Sequence, residues 1–187
     1  MEKLFGRPIE NEKKFKELLL YVSQKCAHDR TFGATKLNKI LFYADFLAYA
    51  NLGEPITCFD YQKLPFGPAP RRLIPVQTQM IEAGELALQP VHLWSGNVQK
   101  RAVNLRSPDL SVFTAQEIAL VDEVIEALEN ARAEAVSELS HRLVGWKVVE
   151  EGESIPYSTI FLSDEPLSEA ETERGRELAK QHGLLAS

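Results

Sequence analysis

The stretch Ala34-Thr-Lys-Leu-Asn-Lys-Ile-Leu-Phe-Tyr-Ala-Asp-Phe-Leu-Ala-Tyr-Ala-Asn51 decides how the rest of the chain reads. Leu37, Ile40, Leu41, Ala44, Leu47 and Ala48 recur at three- and four-residue steps, the spacing of one helix face. Phe42, Tyr43, Phe46 and Tyr49 widen that stripe almost all round. A helix this apolar is packed on several sides, so it is predicted to be the central one. Thr35 is the expected N-cap, and Asn51 and Gly53, with Pro55 just beyond, are the expected stop. Leu37 to Leu52 also carries Lys39, Asp45 and Asn51, which makes it too short and too polar to span a bilayer.

Upstream, Asn11 to His28 has the pattern of an amphipathic helix. Phe15, Leu18, Leu19, Val22 and Cys26 share a face, while Lys13, Lys14, Lys16 and Glu17 point out. Downstream, Ile56 to Leu64 is rich in aromatic and β-branched residues and predicts a short strand. Pro65-Phe-Gly-Pro68 is a turn in which Gly67 takes the angles that a turn needs and Pro68 opens a helix. That helix is expected to run to Ala83, stop at Gly84 and kink at Pro75. Residues 85–93 and 98–105 predict a β-hairpin joined by Trp94-Ser-Gly-Asn, with Pro90 confining the first strand to an edge. Thr114-Ala-Gln-Glu117 is a capping box for a helix to about Glu129. Short helices follow over 133–141 and 144–149, then irregular chain over 152–161. Ser168-Glu-Ala-Glu171 is a second capping box, for a last helix ending near Gly183. No repeat or low-complexity linker interrupts the order, so the reading is one domain over 1–187. Its class is mainly α (α+β): a compact helical domain around a central apolar helix, with one small β-hairpin.

Composition agrees with that class. Of 187 residues, 44% are apolar and 26% charged, which is globular, and a chain of this length buries a core without staples. The two cysteines, Cys26 and Cys58, form neither a disulfide framework nor a zinc pattern. The N-terminus is charged and lacks a signal peptide's apolar run, so the expected location is the cytoplasm. The net charge of -6 is uneven. Residues 115–187 carry net -10 and residues 1–114 net +4, an asymmetry that suits a polar partner surface. Net acidity argues against nucleic acid as a partner.

Catalytic signatures are absent: no Gly-x-Ser-x-Gly, Walker loop, Gly-x-Gly-x-x-Gly or His-Glu-x-x-His is present. His28, His92, His141 and His182 stand apart from one another, and a hydrolase built on His28 or His141 has no partner motif. The chain is therefore read as a non-enzyme without cofactor or metal. Two other places concentrate unusual residue types. Arg71 and Arg72, expected in the first turns of a helix, oppose its dipole. They serve either to recognise an acidic surface or phosphate, or to pair with the chain's own C-terminal acids. In Ser140-His-Arg-Leu-Val-Gly-Trp-Lys147, Trp146 is expected to pack on the core, and His141 to cap a helix end or bond a carbonyl.

The order of motifs resembles a known family. Lys36-Leu-Asn-Lys-Ile-Leu-Phe-Tyr-Ala-Asp45 is similar to the opening helix of Panacea-domain, or SocA-like, proteins, with Lys36, Leu37 and Tyr43 as motif residues. Gly53-Glu-Pro-Ile56 and the aromatic-Gly-Pro signature Phe66-Gly67-Pro68 follow at family spacing. Ser137-Glu-Leu-Ser-His141 with Trp146-Lys147, then Ile155-Pro-Tyr157, resemble its closing motifs. The likeness spans about residues 12–160. It departs before Phe66, where Tyr61-Gln-Lys-Leu-Pro replaces the family's tryptophan, and after Pro68, where Ala69 replaces valine.

The resemblance implies an antitoxin that binds and neutralises a cognate protein toxin encoded by an adjacent gene, with no cofactor. It also implies an adaptor role toward a protease, as for the family's namesake. On that reading Phe66, Gly67, Pro68, Arg71, Arg72 and Tyr157 are partner-binding candidates, because interfaces favour exposed aromatics and arginines. Lys36, Leu37, Tyr43, His141, Trp146 and Lys147 are structural. The alternative is a DNA-binding regulator, in which the helices and the hairpin form a winged arrangement.

Overall fold

The computed structural model describes residues 9–92, 96, 98–166 and 168–182. Helices α1 (Glu12–Lys25) and α2 (Ala34–Leu52) are followed by a two-residue pair of strands, β1 (Tyr61–Gln62) and β2 (Ala69–Pro70). Then come α3 (Leu73–Glu82) and the hairpin β3 (Leu86–His92) and β4 (Val98–Asn104). Helices α4 (Ala115–Leu128), α5 (Ala133–His141), α6 (Val144–Val148) and α7 (Glu169–Gln181) complete the order. A 3-10 turn at Tyr157–Phe161 precedes α7. Helices make up 54% of the structure and both sheets are antiparallel pairs, so the protein is mainly α with a small β part.

Helix α2 is the hub. It touches α1, α4, α5, β2, β4 and the 3-10 turn. Ile40, Leu41, Phe42, Ala44, Phe46 and Ala48 are all buried in one core cluster with Phe15, Leu18 and Val22 of α1 and Val121 of α4. Burial of this apolar surface, worth about 25 cal/mol per Å², drives the assembly. Arg106 fastens the periphery. Its guanidinium spans Glu17 of α1, at 2.7 Å from Oε1, and Glu85 at the start of the hairpin, at 2.9 Å.

Several boundaries differ from expectation. The N-cap of α2 is Gly33 rather than Thr35. The preceding turn is pinned by Asp29, which accepts from Thr31 N and Lys36 Nζ, and Gly33 lies where any Cβ would run into the Gln99 side chain of β4. Ile56 to Leu64 is mostly not a strand. Only Tyr61–Gln62 pair, because Thr57 is taken by the Asp45 side chain and Phe59 stacks on Phe15 at 3.8 Å. Its aromatic residues serve packing rather than a ladder. The helix expected from Pro68 begins at Leu73. Pro70 forces Ala69 into extended backbone, and that pair closes onto β1. Pro75 then falls in the first turn, where its missing N–H costs nothing, so no kink is required.

Two further readings differ: Glu17, expected to point out, is buried against Arg106, and the stretch 152–161 carries a 3-10 turn at Tyr157–Phe161. Both capping boxes are formed, at Thr114 and Ser168. The hairpin pairs Leu86 with Asn104 through His92 with Val98, and Pro90 sits opposite Lys100 in a sheet of only two strands. Its expected turn lies, apart from Gly96, outside the described residues. Asn130 turns left-handed at φ 58° to end α4, and α5 spans 133–141 as expected.

Candidate partner-binding site

The loop joining β1 to β2 holds Phe66-Gly67-Pro68. Gly67 through Pro70 are buried while Pro65 and Phe66 are exposed. The loop backbone is held from below by α2. Lys39, 1% exposed, donates from Nζ to Phe66 O at 2.6 Å and to Pro68 O at 3.1 Å. Helix α5 holds it from the side, where Ser137 Oγ donates to Phe66 O at 3.1 Å. Gly67 donates its N–H to Leu64 O at 2.8 Å.

Gly67 is required twice over. Its φ of +97° is a left-handed conformation, and a Cβ there would lie 2.6 Å from Lys39 Cε and collide with Ser140 Oγ. Gly67→Ala is therefore expected to cost about 2–3 kcal/mol, read as a lower urea midpoint, and to loosen the loop. A change under about 0.5 kcal/mol would contradict the packing described.

The loop's other flank is aromatic. His141 of α5 stacks on Trp146 of α6 with ring centroids 4.0 Å apart. Trp146 Nε1 donates to Leu64 O at 3.4 Å, and Lys63 Nζ sits 4.4 Å above its ring while donating to Val149 O. Trp146 packs on the core as expected. His141 does not bond a carbonyl among the described residues: its Nε2 is buried with no hydrogen-bond partner there. Burial first, then the neighbouring Lys39 charge, pushes the His141 imidazole below its ordinary range.

Lys39 and Asp45, which by sequence read only as polar breaks in the apolar α2, organise the site. Burial alone brings the Lys39 amine down to about 7. Asp45, fully buried, accepts from Thr57 N at 2.7 Å, from Thr57 Oγ1, and from Tyr61 OH at 2.8 Å. Burial raises its carboxyl to about 6 against the pull of those hydrogen bonds. The signal lay in the sequence: a charged residue on a helix apolar all round is buried, and a buried charge needs partners.

These shifts give opposite pH dependences. The folded state holds fewer protons on Lys39 than the unfolded chain between about pH 7 and pH 10.5, so the Lys39 contribution to stability rises with pH across that window. It holds more on Asp45 between about pH 3.8 and pH 6, so that contribution falls as pH rises there. Lys39→Met is expected to remove the upward slope between about pH 7 and pH 9, below the range in which the Cys26 and Cys58 thiols, both pushed up by burial, lower stability as pH rises, measured as urea midpoints at several pH values. An unchanged slope would place the titration elsewhere.

The remaining candidates lie apart from the loop or are engaged internally. Arg71 Nε pairs with Asp60 at 2.9 Å, and its Nη2 donates to Gly152 O at 2.8 Å. Arg72 bridges Glu10 at 2.7 Å and Glu12 at 2.8 Å. Both arginines pair with the chain's own acids, but with Glu10 just before α1, Glu12 at its start and Asp60 before β1 rather than with the C-terminal ones. They also precede α3 instead of lying in its first turns. Tyr157 packs against Phe46 and Tyr49 on the C-terminal half of α2 and donates to Phe59 O at 2.6 Å. Lys36 is buried against Asp29 at 2.7 Å, Leu37 is core, and Lys147 pairs with Asp164. Tyr43 is half-buried, with a hydroxyl that finds no partner among the described residues. Among the described residues, no cluster of three or more His, Cys, Asp or Glu could hold a metal, and no helix is long and apolar enough to cross a membrane.

The arrangement is a helical scaffold whose buried polar groups secure the backbone of an exposed loop. The chain belongs to the antitoxin SocA-like, Panacea-domain family: the family model matches residues 37–147, more than half of its length. That span contains Lys39, Phe66-Gly67-Pro68, His141, Trp146 and Lys147, and leaves out α1, Tyr157 and α7. No curated protein and no solved structure matches the chain.

Proposed function

We propose that the protein is an antitoxin that neutralises a protein toxin by direct binding, using the Phe66 loop as a rigid contact. The observation that carries this reading is the contrast within three residues. Phe66 is 73% exposed, while its own carbonyl is held by Lys39 and Ser137 and the next residue is buried. An aromatic anchor on a backbone already ordered costs little entropy on binding. Family membership supports the antitoxin role.

Four arginines of the N-terminal half favour a protein partner over DNA. Arg101 of β4 donates to the carbonyls of Ala27, Asp29 and Phe32, and Arg106, Arg71 and Arg72 are held by acids. Arginines engaged this way offer little to phosphate.

Co-expression with the product of the adjacent open reading frame tests the reading. Growth arrest by that product alone, relieved by this protein with the two co-purifying, is the expected result. A harmless neighbour, or toxicity that persists beside this protein, defeats it. Toxin half-life, measured in the same cells, separates occlusion from delivery to a protease: occlusion leaves it unchanged and delivery shortens it.

A further inference from the structure

A second surface lies on the far side of α5 from its loop-facing Ser137. Between α2, α4 and α5 runs a cavity of about 330 Å³ lined by Tyr43, Leu47, Leu120, Val124 and Leu139. Through Ala127, Leu128 and Leu139 it continues into a second, of about 320 Å³, bordered by Ala131, Ala135 and Arg142. The floor is apolar, and Leu139 is 46% exposed. The Tyr43 hydroxyl, shut off from solvent, has no hydrogen-bond partner among the described residues.

The surrounding charge selects the occupant. Glu123 and Glu138 line the groove, Glu126 and Glu134 stand on the same two helices, and Glu129 caps the end of α4. All five are exposed, and none is in an ion pair among the described residues. Only Arg132 and Arg142 oppose them on this stretch. The walls are α-helix apart from Ala131 in the α4–α5 turn and Arg142 just past α5, so among the described residues no sheet edge is available there to an extended strand. An occupant must satisfy its own backbone, which a helix does.

We infer that this groove receives an amphipathic α-helix of the toxin, its apolar stripe on Leu139 and Val124 and its flanks bearing lysine or arginine. The identity of that partner rests on the antitoxin reading above; the groove's preference for a basic amphipathic helix does not. Two helical peptides of roughly 18 residues provide the probe, with one shared leucine stripe and either lysine or glutamate flanks. Binding is read by fluorescence anisotropy against the full chain.

The lysine peptide is expected to bind at least about tenfold more tightly than the glutamate peptide, with the gap narrowing as salt rises. Leu139→Glu and Ala127→Glu, both at exposed positions, should each weaken it about tenfold or more with unchanged circular dichroism. Glu123→Lys combined with Glu138→Lys should reverse the preference while leaving the apolar floor intact. Equal binding of the two peptides, binding of neither, or Leu139→Glu behaving as wild type overturns the proposal. In the co-expression assay, a Leu139→Glu protein that neutralises as wild type also overturns it while leaving the antitoxin reading standing. A wild-type protein that fails to neutralise defeats the antitoxin reading, and the peptides still decide the groove.

Discussion

Replacing Asp45 with alanine is expected to destabilise the fold by about 3–5 kcal/mol, the largest single effect we anticipate. The carboxylate is the acceptor for three donors in a site with no exposure: Thr57 N–H, Thr57 hydroxyl and Tyr61 hydroxyl. Tyr61 can still donate to Leu41 O at 2.8 Å. The Thr57 N–H has no such alternative, and an orphaned buried donor costs about 1–3 kcal/mol before the cavity is counted. The damage would spread, because Thr57 and Tyr61 bracket the segment that carries Phe59 onto Phe15 and leads into the Phe66 loop. Asp45→Asn keeps an acceptor for Thr57 N–H and should cost about 1–2 kcal/mol. Urea denaturation of the three proteins checks both values. An alanine variant within about 1 kcal/mol of wild type would mean that these hydrogen bonds contribute little to the native state.

Phe66→Ala is expected to have the opposite profile. Its ring is exposed and its loop is held through backbone carbonyls, so stability should change by less than about 0.5 kcal/mol. Toxin affinity should fall by about 2–4 kcal/mol, roughly 30- to 1000-fold, as for a central aromatic anchor. The readouts are growth rescue on co-expression and the dissociation constant of the purified pair. Gly67→Ala serves as the comparison, since it should lose both stability and binding. If Phe66→Ala neutralised as well as wild type, the contact would lie elsewhere, with the α4–α5 groove the next surface to examine.

Much of the helical framework was legible without coordinates, for physical reasons that can be named. Helix α2 is apolar almost all round, and only a central position satisfies that pattern. The capping boxes at Thr114 and Ser168 close within four residues, so local sequence contains the whole interaction. The misread segments were those whose conformation depends on distant partners. Residues 56–64 look like a strand by composition, but Asp45 and Phe15 claim them. Residues 68–72 look like a helix start, but Pro70 and the pairing with Tyr61–Gln62 keep them extended. At the loop, the Phe66-Gly67-Pro68 motif stood out as a signature, while its anchor Lys39 was hidden among apolar neighbours on another element.

By itself the sequence determined the mainly α class, the central helix, the hairpin and the family, since each follows from periodicity, capping chemistry or motif order along the chain. Only the tertiary structure decided which charges are buried and what they hold. Lys39 and Asp45 look like breaks in an apolar helix until Phe66, Pro68, Thr57 and Tyr61 are brought to them across 12 to 29 residues of sequence. A buried charge is tolerated where its partners are supplied, and which partners arrive depends on how the chain folds back on itself.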